Sequence, residues 1–173
     1  MNTRKFAMNY GAYLGLGLVV IFYLSYILEL DVQKAYIPFV LRNILIVYAL
    51  VYAINTYKNK INNGFISYNN SLKLGTSILV YASFILAFYN FIFITYINPD
   101  FIEYLMSIQE QTILNSDSEI SDEKLDMILN FMRKIYEPIP FAVTNVVQYS
   151  FIGFFYSLII SFFLKKEDPN LII

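Results

Sequence analysis

Long uncharged apolar runs alternate along this chain with short charged stretches, and the run lengths are the first structural clue. Residues 74–97 form a run of 24 without a formal charge, bracketed by Lys73 and Asp100. A helix rising 1.5 Å per residue makes that run about 36 Å long, enough for a hydrocarbon core of ~30 Å with some tilt. Residues 6–28 give a second run, and residues 141–164 another that ends at Lys165 and Lys166. Residues 36–57 complete the set, interrupted only by Arg42. The pattern predicts four membrane spans, about 6–28, 36–57, 74–97 and 141–164, organised around the third.

The intervening stretches read differently. A cleaved signal peptide has an apolar region of about 7–15 residues before small residues. The first run is longer and ends in Tyr26, Ile27, Leu28 and Glu29, which predicts an uncleaved first span. Residues 29–35 are a short connector, and Pro38 falls in the first turn of the second span, where a missing N–H costs nothing. Residues 58–64 form a polar loop, and Ser67 is placed to cap a helix that starts amphipathic before it enters lipid. Beyond the third span, Asn98 can cap, Pro99 suits a first helical position and Asp100 complements a helix N-terminus. Phe101, Leu105, Ile108 and Thr112 then share a face, with Tyr104 beside them, until residues 115–120 break the pattern. A second amphipathic helix is expected from Ser121, with Asp122 and Glu123 first and Arg133 and Lys134 last. Its apolar stripe is Leu125, Ile128, Leu129, Met132 and Ile135. Both helices are too short and too charged to span, so residues 99–137 are expected as a hairpin outside the membrane. Its apolar face would lie on the bundle or on lipid headgroups. Pro138 and Pro140 introduce the last span, and residues 167–173 are expected to fray. No internal repeat is visible.

Composition strengthens the membrane reading. Of the 173 residues 58% are hydrophobic and only 14% charged, against ~25% charged in soluble domains. A soluble core of this size could not hide so much Phe, Ile, Leu and Tyr, so lipid is part of the solvent and one domain is expected. The absence of Cys excludes disulfides and thiolate chemistry, and the absence of His removes the usual proton shuttle and the commonest metal ligand.

The net charge of −1 hides a strong segregation. With four spans, both termini share a side with Arg4, Lys5, Lys58, Lys60, Lys73, Lys165 and Lys166, opposed there only by Glu167 and Asp168. The other side carries Lys34, Lys124, Arg133 and Lys134 with all the other carboxylates. Lys and Arg near span ends mark the cytoplasmic side, so both termini are expected in the cytoplasm and the hairpin outside it. The acidic face argues against nucleic acid as a partner.

Depth singles out a few polar residues. By the helix rise, Arg42 and Asn43 lie about 6–8 Å from their span's midpoint toward the outer face. Asn90 lies roughly 7 Å out, and Asn145 and Gln148 about 6–10 Å. Two readings stand. Arg42, Asn43, Asn90, Asn145 and Gln148 could line a small polar pocket in which Arg42 holds a phosphate or carboxylate. Alternatively, Arg42 snorkels to the outer headgroups while the amides act as interhelical glue. Gly11 and Gly15, with Gly17 nearby, could let another helix of the same chain approach closely or could simply be flexible. Ser83 and Ala87, in line with Asn90, form a small-residue stripe suited to close contact.

Enzyme chemistry finds little support, and no cofactor or metal is implied. No span carries Asp or Glu, no Ser–His or Cys–His arrangement exists, and no glycine loop could cradle phosphate. Asp117, Glu119, Asp122, Glu123 and Asp126 are crowded but lack the order and central Gly of an EF-hand. A secondary transporter with broken helices is also disfavoured, because every proline lies at a span end or in the tail and no two halves match.

Three stretches carry a resemblance. They are Gly64-Phe65-Ile66-Ser67-Tyr68 leading to Leu72-Lys73-Leu74-Gly75, then Tyr96-Ile97-Asn98-Pro99-Asp100-Phe101, and Ser150-Phe151-Ile152-Gly153 through Leu164-Lys165-Lys166. With them the whole chain resembles a Bacteroidota family of small four-span membrane proteins catalogued as a domain of unknown function. The resemblance implies an inner-membrane location and four helices, and it brings no catalytic residues. The expected fold is therefore all-α: an integral membrane four-helix bundle with an extracytoplasmic amphipathic hairpin between spans three and four. The expected role is a non-enzymatic structural or accessory envelope component whose hairpin meets another membrane or envelope protein. The alternative is a small carrier or sensor of an anionic lipid or metabolite held near Arg42, Asn90 and Gln148.

Overall fold

The first helix, α1 (Thr3–Ile27), begins where Asn2 stands outside helical geometry and its side chain accepts from the Arg4 N–H at 3.0 Å. In the computed structural model, which describes residues 2–28, 30, 34, 36–116 and 120–167, five further α-helices follow. They are α2 (Tyr36–Lys60), α3 (Tyr68–Ile92), α4 (Phe101–Ser116), α5 (Asp122–Tyr136) and α6 (Pro138–Leu164), and a π-helical turn (Phe93–Ile97) extends α3. Four helical segments, Thr3–Ile27, Tyr36–Lys60, Tyr68–Ile97 and Pro138–Leu164, are long and apolar enough to cross a membrane. The chain is thus all-α among the described residues, with four candidate spans and a helical hairpin between the third and fourth.

The chain divides into two compact units, one of residues 1–86 and 146–173 and one of residues 87–145. In the first, all four spans contribute to one apolar core. Phe6, Leu14 and Leu18 come from α1, Ile46, Leu50 and Ile54 from α2, Leu74, Ile78, Leu79 and Ala82 from α3, and Ile160 from α6. On α1 the buried positions Ala7, Gly11, Leu14 and Leu18 recur every three or four residues, with Ser25 seven residues on, whereas Tyr13, Leu16, Val20 and Tyr23 are exposed. Such a large exposed apolar surface is stable when lipid is the neighbour, because no water has to be ordered around it.

Small residues let the helices of this unit meet at close range. A Cβ added at Gly11 would lie 2.6 Å from Tyr81 Cβ, and one at Gly15 would lie 2.9 Å from the Ala82 carbonyl oxygen, so α1 runs against α3 at these glycines. The tightest seam joins α3 to α6: Gly75 faces Ser157, and Gly153 faces Leu79. The paired residue numbers fall on one helix as they rise on the other, as antiparallel helices require.

The ends of the spans are fixed by the backbone. α2 continues three residues beyond the apolar run to Lys60 and stops where Asn63 and Gly64 take φ of 51° and 85°. The Gly64 N–H then reaches back to the Lys58 carbonyl at 2.8 Å. This left-handed pair turns the chain out of the helix, and Gly64 adopts its φ without steric penalty. Ile66 and Lys166 exchange two backbone bonds of 2.8 and 2.9 Å, tying this loop to the end of α6. Ser67 does cap α3, accepting from the Asn70 N–H at 3.4 Å.

In the second unit, the π-helical turn closes with the Asn98 N–H on the Phe93 carbonyl at 2.8 Å. Phe93 and Ile94 are buried, and the Phe93 ring meets Phe101 edge-on at 5.3 Å. Pro99 and Asp100 form a turn, and α4 starts only at Phe101, with the Asp100 carbonyl receiving the Tyr104 N–H at 3.0 Å. Asn98 and Pro99 therefore do not occupy the cap and first helical positions that their residue types suggest. α4 runs to Ser116, two residues into the stretch expected to break it, and residues 117–119 lie outside those described. The other helix of the hairpin, α5, ends at Glu137, whose carbonyl already receives the Phe141 N–H of α6 at 2.9 Å. The connector expected at residues 29–35 and the tail from Asp168 onward fall mostly or wholly outside the described residues.

Candidate functional site

The five polar candidates divide between the two units: Arg42, Asn43 and Gln148 belong to the first, Asn90 and Asn145 to the second. In the first unit, Arg42 is half-buried and its Nε donates to the Pro38 carbonyl of its own helix at 3.2 Å. Asn43 donates from Nδ2 to the Phe39 carbonyl at 2.7 Å and accepts from the Tyr156 hydroxyl at 2.5 Å. That second bond joins α2 to α6 and is interhelical glue in its plainest form. Gln148 is exposed. Its depth was legible from the count of residues, but its direction around α6 points away from the core, and it makes no bond to Arg42 or Asn43.

In the second unit, Asn145 is half-buried and donates to the Phe141 carbonyl at 2.7 Å. Asn90 is only 2% exposed, and its Oδ1 has no hydrogen-bond partner among the described residues. The same holds for the Thr95 hydroxyl, five residues on, inside the π-helical turn. An orphaned buried amide oxygen forfeits about 1–3 kcal/mol of solvation, so a water or a polar ligand atom would be welcome at Asn90. Thr95 was not among the sequence candidates. A π-helical turn is an uncommon feature that often marks functional positions, yet nothing in the composition of residues 93–97 announces one.

Ser83 is fully buried, but its hydroxyl donates to the Val80 carbonyl of its own helix at 2.7 Å, so it packs as a small residue and presents no free donor. Ala87 is buried at the start of the second unit. Gly11 and Gly15 are the close-packing glycines described above.

The hairpin presents a different kind of surface. Its helices are linked by Arg133 and Glu103, whose Nη2 and Oε2 lie 3.4 Å apart with both side chains well exposed. On α4 the buried side chains are Phe101, which the face read in the sequence included, and Met106, which it did not; Leu105 and Ile108 of that face are half-buried and Thr112 is exposed. On α5 no side chain is buried. Leu125, Leu129, Met132 and Ile135 are half-buried, while Met127 and Phe131, one helical turn apart, are 66% and 65% exposed. Glu123, Lys124 and Lys134 flank that pair, and all three are exposed. Burial also raises the Tyr136 hydroxyl pKa above its ordinary value, since desolvation penalises the phenolate. Of the acidic cluster, Asp122, Glu123 and Asp126 lie exposed along α5, and Asp117 and Glu119 lie outside the described residues.

Comparison with known proteins extends the sequence resemblance across nearly the whole chain. Residues 9–166 match a family described as protein of unknown function (DUF4199). No curated protein and no solved structure matches.

Proposed function

This chain belongs to the DUF4199 family of proteins of unknown function, and on that premise we propose that it is a non-enzymatic accessory component of a bacterial inner membrane. In this reading the four spans anchor the protein with both termini in the cytoplasm. The α4–α5 hairpin stands on the outer side and holds another membrane or envelope protein. The sidedness rests on the Lys and Arg residues gathered around the ends of spans one and four and the loop between spans two and three.

One observation carries the reading. Helix α5 is amphipathic yet buries none of its side chains, and it leaves Met127 and Phe131 outward on the turn framed by Glu123, Lys124 and Lys134. An apolar centre inside a rim of both charge signs is the anatomy of a protein contact. A lipid surface would favour a cationic rim alone.

The test is a photo-crosslinking residue placed at Phe131 in the full-length chain within its native membranes. Under the proposal a discrete protein adduct forms at Phe131, and it disappears when Met127→Glu is added but persists with Arg42→Ala. Lipid adducts alone, or an adduct indifferent to Met127→Glu, would defeat it. The carrier or sensor alternative makes the opposite forecast: an anionic molecule retained by the purified protein and lost with Arg42→Ala.

A further inference from the structure

The lower half of α2 carries polar side chains that the rest of the fold does not use. Asn55, Thr56, Asn59 and Lys60 lie on the last turns of this span, and none of their side chains makes a hydrogen bond or ion pair among the described residues. Several polar residues elsewhere in the spans are satisfied within their own helix, whereas the polar atoms of Asn90, Thr95, Ser157 and Ser161, unpartnered among the described residues, are sealed inside. Asn43, Asn145, Ser25, Ser83 and Ser150 each donate to a carbonyl of their own helix at 2.6–2.7 Å. Neighbouring Lys58 is likewise engaged, with its Nζ 3.3 Å from the Leu164 carbonyl.

These four side chains form one end of a groove of about 300 Å³ whose other end is Tyr48, Val51 and Tyr52. The apolar end is held in shape. Tyr52 stacks on Tyr48 at 6.1 Å and meets Tyr10 of α1 at 6.1 Å, and Tyr10 in turn stacks on Phe6 at 4.4 Å. Polarity thus changes along a single helix face, from a lysine at the span's end through amides and a hydroxyl to aromatic rings. From Lys60 to Tyr48 the helix rises about 18 Å, close to the ~15 Å of one leaflet's hydrocarbon.

We propose that this groove of α2 is a binding site for one anionic glycerophospholipid. Its phosphate meets Lys60 and Asn59, its glycerol ester region meets Thr56 and Asn55, and one acyl chain runs over Val51 and Tyr52. Four features argue for that occupant: the order of polarity, the length, the cationic end and the position on a membrane span. A soluble phosphate would use only the polar end, and a zwitterionic lipid gains less from Lys60 because its own amine competes for the phosphate. The site is independent of the hairpin, so failure of either idea leaves the other standing.

The experiment is native mass spectrometry of the delipidated full-length protein titrated with phosphatidylglycerol, phosphatidylcholine or glycerol phosphate in detergent. One phosphatidylglycerol should be retained in preference to phosphatidylcholine, and glycerol phosphate should not bind. Lys60→Ala should weaken retention about fivefold, the effect of one interfacial cation. Lys73→Ala should change nothing, since Lys73 is exposed at the neighbouring span end and outside the groove. Val51→Trp, which fills the apolar end, should abolish retention of both lipids, while Lys60→Ala should bring phosphatidylglycerol down to the level of phosphatidylcholine. Equal retention of the two lipids, equal loss with Lys73→Ala, or binding of glycerol phosphate as tight as that of phosphatidylglycerol would overturn the proposal.

Discussion

Replacing Gly153 by alanine tests the central packing claim. The new methyl would meet three atoms of one side chain, Leu79 Cβ, Cγ and Cδ2, the second at 2.8 Å and the third at 3.2 Å. Ordinary contact begins at 3.4 Å, and Leu79 is 0% exposed, so it cannot swing into lipid. Its Cβ and Cγ are also the least mobile atoms of the side chain, and α3 and α6 must therefore separate. Overpacking of this kind costs about 1–3 kcal/mol. Alanine is intrinsically better than glycine in a helix by about 1 kcal/mol, which would blur a single measurement. Gly17→Ala removes the ambiguity. There the methyl meets only the far end of Leu45, with Cδ2 at 2.9 Å and Cδ1 at 3.8 Å, on a half-buried side chain that can turn aside. The helix-propensity gain is common to both changes, so their difference isolates the packing cost and should be about 1–3 kcal/mol. Thermal unfolding in detergent, followed by size-exclusion chromatography of a fluorescent fusion, reads the difference directly. Leu79→Ala should recover part of the loss by removing Cγ and both Cδ atoms. If Gly153→Ala melts with Gly17→Ala, the α3–α6 seam is not as tight as described.

Other changes probe single interactions. Tyr156→Phe deletes the hydroxyl that donates to Asn43 across the α2–α6 contact, and thermal unfolding should fall by about 0.6 kcal/mol, the mean for such bonds in membranes. Arg42→Leu should leave the yield of folded, monodisperse protein nearly intact, because Arg42 is half-buried and its one bond runs to its own helix; collapse of that yield would revive a buried anion site. Glu103→Ala should alter stability by less than about 0.5 kcal/mol, since the pair it forms with Arg133 is exposed to water. Tyr136 gives a pH signature: its pKa is raised by burial above the 10.0 of a free tyrosine, so the unfolded chain loses its proton first as pH rises. Its contribution is complete below pH 10 and is lost as pH climbs through the folded pKa. Unfolding of the wild type should therefore become steeper with alkali than that of Tyr136→Phe, and parallel curves would argue against burial of this ring.

Much of the fold could be read from run lengths, because a membrane span needs a fixed length of apolar chain and little else. The limits of those runs mark lipid and not helix. α3 begins at Tyr68, six residues before the apolar run, since Ser67 and not hydropathy nucleates it; α2 runs on to Lys60 until the left-handed pair Asn63–Gly64 stops it. Gly11 and Gly15 could be noticed from spacing alone, whereas Gly75 and Gly153 could not, being single glycines whose meaning depends on what opposes them. The site suffered from the same gap. Counting residues gives a position along the helix but not direction around it, and Gln148 illustrates the difference: grouped with the others by count, it is exposed. The groove on α2 escaped notice because Asn55, Thr56 and Asn59 form no motif in the sequence, and the concavity they share with Tyr48, Val51 and Tyr52 exists only in the folded helix.

The join between α5 and α6 is a single residue. Glu137 ends one helix in extended geometry, and its own carbonyl opens the next, with Pro138 immediately after it. A proline further stiffens such an elbow by fixing φ, and no slack is left to absorb a tug. A partner of the proposed kind, bound to α5, would have a short lever on the start of α6. A flexible tether spliced in at Glu137 would leave such binding intact while uncoupling it from α6.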